Sequence, residues 1–174
     1  MSEKQYFDKL IYYTEGNKLV VERRFDAAQD TVFKAFSDSK LLEAWWGPEG
    51  WQTTNARFEF KPDGVWHYCM RCMDENQGEF FGQESWGFAV YKKITVPEEI
   101  VYTDSFADEL GNAQAGMPEI HITASFKADG QQTILQFISA FASEDAIQQV
   151  VEMGFVQGTE SQFRRLDELL RNGL

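Results

Sequence analysis

Few residues of this chain stand at a spacing that chemistry needs. Cys69 and Cys72 bracket Met-Arg as a CxxC pair. Redox dithiols and metal clips use that spacing when both thiols converge at a helix start or knuckle. Here the pair falls in VWHYCMRC (65–72), which alternates like a strand, and strand positions i and i+3 face opposite sides. Two ordinary reduced thiols are therefore expected. His67 would share a face with Cys69, and His121 lies on another predicted strand, which together could make a His/Cys metal site. The outward face expected for His67 makes it a surface histidine instead, and neither metal nor cofactor is expected. No GxSxG, HExxH, P-loop or GxGxxG occurs, so a hydrolase triad has no anchor. Acid–base chemistry has one candidate, Asp104, on the alternation face of Tyr102 and Phe106, where burial would raise its pKa. Its plainer reading is a hydrogen-bonded or surface strand aspartate.

The chain is also rich in rings. Fifteen Phe, six Tyr and five Trp are more than tight packing needs, and rings both fill cores and line ligand cavities. The segment WWGPEGW (45–51) reads two ways. Trp45 and Trp46 staple short helices to a sheet, or they and Trp51 stand at a cavity mouth.

These residues must be positioned by the elements around them. KLVVERRFD (18–26) is β-branched and aromatic, as strands are. AAQDTVFKAF (27–36) changes period, with Val32, Phe33 and Phe36 on one helical face. Asp38 or Ser39 caps a second short helix carrying Leu41, Leu42, Trp45 and Trp46, which Gly47-Pro48 ends. Six further strands are predicted near 54–60, 65–72, 82–95, 100–106, 119–126 and 133–141, joined by turns such as KPDG and ADGQ. From Ser143 to Arg171 the pattern is helical throughout, with an apolar-to-small stripe that includes Gly154 and Gly158. Glycine inside a helix costs about 1 kcal/mol relative to alanine. Two on one stripe imply close backbone approach to the sheet or space kept for a ligand.

Hairpin-length connections imply antiparallel pairing, and the apolar face of such a sheet must be covered. The last helix is the one element long enough to do it. The expected fold is thus α+β, a curved antiparallel sheet of six to seven strands around a long C-terminal helix, with two short helices after strand 1. The 174 residues read as one domain over 18–174 preceded by an unassigned extension, 1–17.

The net charge of −12 repels phosphate backbones and anionic lipid, which excludes nucleic acid as a partner. No run approaches the roughly 18 apolar residues of a membrane helix, so no membrane insertion is expected. MSEKQYFDKL lacks a signal-peptide pattern, and cytoplasm is the expected compartment. A homodimer is left open.

The pieces RRFDAAQDTVFKAFSD (23–38), LLEAWWGPEGW (41–51), FKPDGVWHYCM (60–70), ITVPEEIVYTD (94–104) and EMGFVQGTESQFRRLDELL (152–170) resemble, in order and spacing, the AHSA-like homologues of the heat-shock-protein ATPase activators. That family belongs to the SRPBCC/START/Bet v-like superfamily with START domains, plant allergens and aromatic polyketide cyclases. Ala28 stands where the family usually has proline, and Ala89 where it has glycine. The resemblance implies the helix-grip fold, a sheet gripping the C-terminal helix with a cavity between them. The chaperone activators also carry a separate N-terminal chaperone-binding domain, which is not expected within these 174 residues.

The expected function is binding of a small hydrophobic or amphipathic molecule. Its walls are expected to be Trp45, Trp66, Tyr68, Met70, Phe88 and Tyr102, with Phe106, Ile122, Phe137, Met153, Gln157 and Ser161. Two alternatives stand beside it: an enzyme of the polyketide cyclase or dehydratase type using the same pocket, and a stress-related protein that interacts with chaperones through its surface.

Overall fold

The computed structural model describes residues 1–174. Period-two patterning in the middle of the chain becomes seven strands: β3 (Lys18–Phe25), β4 (Trp51–Phe58), β5 (Val65–Cys72), β6 (Glu84–Thr95), β7 (Glu99–Ala107), β8 (Ile120–Asp129) and β9 (Gln132–Ala140). The sequence expectation of six to seven strands falls short by two. β1 (Gln5–Phe7) and β2 (Leu10–Glu15) form inside the first seventeen residues. β2 pairs with β3 through the tight turn at Gly16-Asn17, and Leu10 is completely buried. The result is one nine-stranded antiparallel sheet in the order β1-β2-β3-β9-β8-β7-β6-β5-β4.

One face of this sheet is apolar and covered. α1 (Gln29–Ser37) and α2 (Ser39–Trp45) follow β3, and the Asp38 side chain accepts from the Leu41 amide to cap α2. Phe33 and Phe36 of α1 meet Phe126 of β8 edge-on at 5.1 and 4.9 Å between ring centroids. Trp45 lies against Phe36 at 4.7 Å, and its indole N–H donates to the Ala35 carbonyl at 2.9 Å. Interlocked rings of this kind fill one end of the space beneath the sheet, where they contribute packing beyond simple area burial.

The C-terminal run is two helices, not the continuous one expected. Ser143 caps α3 (Glu144–Glu152) through the Ala146 amide, and α4 spans Phe155–Arg171. Gly154 separates them at φ +95°, a left-handed conformation that residues with a Cβ enter only under strain. α4 packs across the sheet with Val156, Phe163 and Leu166 buried. No helix is long and apolar enough to cross a membrane.

A buried ion cluster fastens α4 to β3. Arg23 points to the helix side with Leu19, Val21 and Phe25 and is 2 % exposed. It donates to Glu160 at 2.6 Å and to both carboxylate oxygens of Asp167 at 2.8 and 2.7 Å. Glu160 is wholly buried and also receives the Lys9 amide at 3.2 Å. A charge taken out of water is tolerated only with partners in place, so this cluster fixes the register of helix on sheet.

Candidate functional site

Beyond the ring-filled end, side chains beneath the sheet become small and a hollow of about 310 Å³ remains. The sheet supplies Tyr68 and Met70 from β5, Ser85 and Gly87 from β6, and Asp104 and Phe106 from β7. Ile120 and Ile122 of β8 and Phe137 and Ser139 of β9 continue the wall. α4 closes it with Phe155, Gly158, Thr159, Gln162 and Phe163, and the loop after α2 adds Trp46 and Pro48. A Cβ on Gly158 would meet nothing within 4 Å, so this glycine is space on the cavity side. Gly154 is not; its role is the helix break. Phe106 is 45 % exposed and stands at the rim, which Pro118 of the loop between β7 and β8 also lines.

The polar centre of the hollow is a pair. The Tyr68 hydroxyl donates to Asp104 Oδ2 at 2.8 Å. Asp104 Oδ1 is shielded from solvent and has no hydrogen-bond partner. Burial pushes the Asp104 carboxyl up to about 7, against the opposing pull of the Tyr68 hydroxyl and the Ser105 backbone. Tyr68, Tyr91 and Tyr102 are each held well above the ordinary phenol range, first by burial and then by the charge of Asp104. Tyr68 reaches Asp104 because Gly87 lies opposite it in the β5–β6 ladder. A Cβ on Gly87 would fall 2.3 Å from Tyr68 Cζ, which no packed structure permits.

The loop carrying Trp46 is held by α4. Arg165 Nη1 donates to the carbonyls of Trp46, Gly47 and Pro48 at 3.1, 2.8 and 3.3 Å. Gln162 accepts the Gly47 amide at 2.8 Å and Ser161 the Glu49 amide at 2.9 Å. These bonds satisfy backbone groups left over at the end of α2 and set the cavity wall formed by Trp46.

Of the residues expected on the wall, Tyr68, Met70, Phe106, Ile122 and Phe137 border the hollow, as does Asp104. Trp45, Trp66 and Tyr102 face the helix side but lie in the filled end. Trp66 stacks on Tyr68 at 4.4 Å and donates to Asn55 at 2.9 Å, and Tyr102 sits against Tyr91 at 5.9 Å. Phe88 is on the opposite face, because the cavity parity of β6 is that of Ser85, Gly87 and Ala89. Met153 is 84 % exposed beside the helix break, and Gln157 points to solvent. Ser161 is turned to the Glu49 amide. Met153 lies in the break between α3 and α4, whereas Gln157 and Ser161 are each one position out of phase with Gly158 and Gln162, which share α4 with them and face the hollow. Of the wall residues missed from sequence, Phe155, Thr159, Gln162 and Phe163 lie on the α4 face that Gly158, already on the small stripe, marked, while Trp46 comes from the loop after α2 and Ile120 from the start of β8.

The other candidates are placed apart. His67 does face outward, but it is 7 % exposed and not a surface residue. Its Nε2 lies 2.9 Å from the Asp108 carbonyl, and its ring packs on Trp86 and Phe88 under the loop that follows β7. His121 is exposed on the outer face near the start of β8, beside Glu119 at 3.8 Å. No three His, Cys, Asp or Glu side chains converge in a metal-binding cluster. Cys69 and Cys72 are both buried and free, and burial pushes the Cys69 thiol up to about 11.

Residues 26–171 match the family model described as activator of Hsp90 ATPase homolog 1-like protein. Among curated proteins, none matches the chain. A solution structure from Staphylococcus epidermidis is similar at 29% identity and TM-score 0.80, with 94% of each chain covered. One from Arthrobacter aurescens is 27% identical at TM-score 0.78, covering 90% of this chain and 88% of that one. The crystal structure of the AHSA1 protein from Silicibacter pomeroyi shares the fold at 24% identity and TM-score 0.69, covering 90% of this chain and 99% of that one.

Proposed function

The chain belongs to the activator of Hsp90 ATPase homolog 1-like family, and from that premise we propose that it binds a small apolar or amphipathic molecule in the hollow between the sheet and α4. The observation that carries this reading is the hollow itself, an unfilled volume of about 310 Å³ in an otherwise close-packed interior. It lies at the small end of the range for ligand pockets. That is room for a body of one or two fused rings or a single chain of about ten carbons. Apolar walls from β5, β8, β9 and α4 would supply burial energy at about 25 cal/mol per Å².

The test is saturable binding of the neutral fluorescent probe prodan to the folded protein. Met70→Trp, which places a larger ring in the hollow, should weaken it at least tenfold. Absence of saturable binding by prodan or any other lipophile sinks the proposal. Native mass spectrometry of protein from its own host would reveal a retained molecule directly.

Asp104 favours a second use of the same hollow. A carboxyl at about 7 beside a phenol is suited to proton transfer, the chemistry of a cyclase or dehydratase. Turnover lost in Asp104→Asn with prodan affinity kept would move the assignment from binding to catalysis.

A further inference from the structure

The wall of the hollow carries one side chain able to hold a full charge near neutrality, Asp104, and no Lys, Arg or His. An anionic head group would therefore meet no counter-charge there. It would instead place a second carboxylate beside the first in an apolar space, where like charges and desolvation both oppose it. Asp104 Oδ1 is an acceptor without a donor, and a buried acceptor left unpaired costs about 1–3 kcal/mol. Ser85, Ser139 and Thr159 add hydroxyls elsewhere on the wall, and the Tyr68 hydroxyl is already donated to Asp104. The wall thus offers one carboxyl group and no cation, the inverse of a carboxylate-binding site. The chain's net charge of −12 favours approach of cations over anions.

Resting on the binding reading above, we propose that the occupant is an apolar body bearing one protonated primary amine, which donates to Asp104 Oδ1, and that the hollow rejects the carboxylate of the same body. Asp104 faces Tyr68 from β5, Tyr91 from β6 and Tyr102 of its own strand, all neutral because their pKa values are raised. β8 and α4 present Ile120, Ile122, Gln162 and Phe163, none of which titrates. Asp104 is therefore the group on the protein side that gives amine binding its pH dependence.

The experiment is displacement of prodan by decylamine, decan-1-ol and decanoate, three heads on one chain. At pH 8 decylamine should bind about tenfold tighter than decan-1-ol, with decanoate weakest. At pH 5.5, where Asp104 holds its proton, the amine advantage should shrink. Asp104→Asn should remove most of it while leaving decan-1-ol within about threefold. Decanoate binding as tightly as decylamine overturns the inference, as does an amine preference unchanged in Asp104→Asn. None of the three displacing a prodan molecule that does bind overturns it while leaving the binding reading intact. If prodan and all three amphiphiles fail to bind, the binding reading falls first and the inference with it.

Discussion

Replacing Asp104 by asparagine keeps the side-chain shape and the acceptor for Tyr68 but removes the titration. In the folded protein the carboxyl rises from an ordinary 3.8 to about 7, so between those values the native state holds a proton that the unfolded chain has lost. Stability then falls as pH rises through that window, and the full penalty stands above about pH 7. At 1.36 kcal/mol per pH unit the interval amounts to about 4 kcal/mol, roughly two-thirds of it developing between pH 5 and 8. Asparagine has no such slope. Its amide nitrogen lacks a partner in the hollow, a pH-independent loss of about 1–3 kcal/mol. The stability difference, variant minus wild type, should therefore grow by about 2–3 kcal/mol from pH 5 to 8.5, with the variant the more stable at pH 8.5. The assay is urea unfolding of ligand-stripped protein followed by tryptophan fluorescence, at several pH values above the isoelectric point of about 4.6. Because all other titrating groups are shared, their contributions cancel. A difference constant within about 0.5 kcal/mol over this range would refute the burial of a titrating Asp104.

Three further outcomes are expected from the packing. Gly87→Ala should drive Tyr68 off Asp104 and destabilise by about 1–3 kcal/mol; a melting temperature within a degree of wild type would contradict the 2.3 Å approach. Glu160→Gln leaves Arg23 buried with half its counter-charge and should cost about 3 kcal/mol in the same urea assay. Gly154→Ala and Gly158→Ala should act in opposite directions. The first strains a residue at φ +95° and destabilises by 1 kcal/mol or more. The second fills open space inside a helix and stabilises by about 0.5–1 kcal/mol. Equal signs in the two melts would undo the separate roles assigned to these glycines.

Where reading from sequence succeeded, the information was local. Alternation in β7 put Tyr102, Asp104 and Phe106 on one side, and the register with β6 keeps them there, opposite Tyr91, Ala89 and Gly87. The same logic placed Tyr68 with Met70 and Phe137 on the helix side. It failed on β6, whose cavity face is small (Ser85, Gly87, Ala89) and whose large residues Trp86 and Phe88 sit outside under a loop. A rule that sends large apolar residues inward inverts such a strand. β1 and β2 were also passed over, although Ile11, Tyr12 and Tyr13 ahead of Gly16-Asn17 carry a hairpin signal.

The sequence by itself determined the strand and helix periods, the antiparallel pairing of hairpin-linked strands and the family, because each depends on neighbours a few residues apart or on motifs read in line. The tertiary structure alone decided which end of the space beneath the sheet is filled and which is left hollow. That turns on side chains far apart in sequence: Phe36 and Trp45 meeting Phe126, Gly158 opposite Tyr68 and Asp104, and Arg23 locking the helix register through Glu160 and Asp167. The break at Gly154 is likewise hidden from the sequence pattern, because the apolar stripe of α3 continues into α4 through it and period alone does not reveal the break.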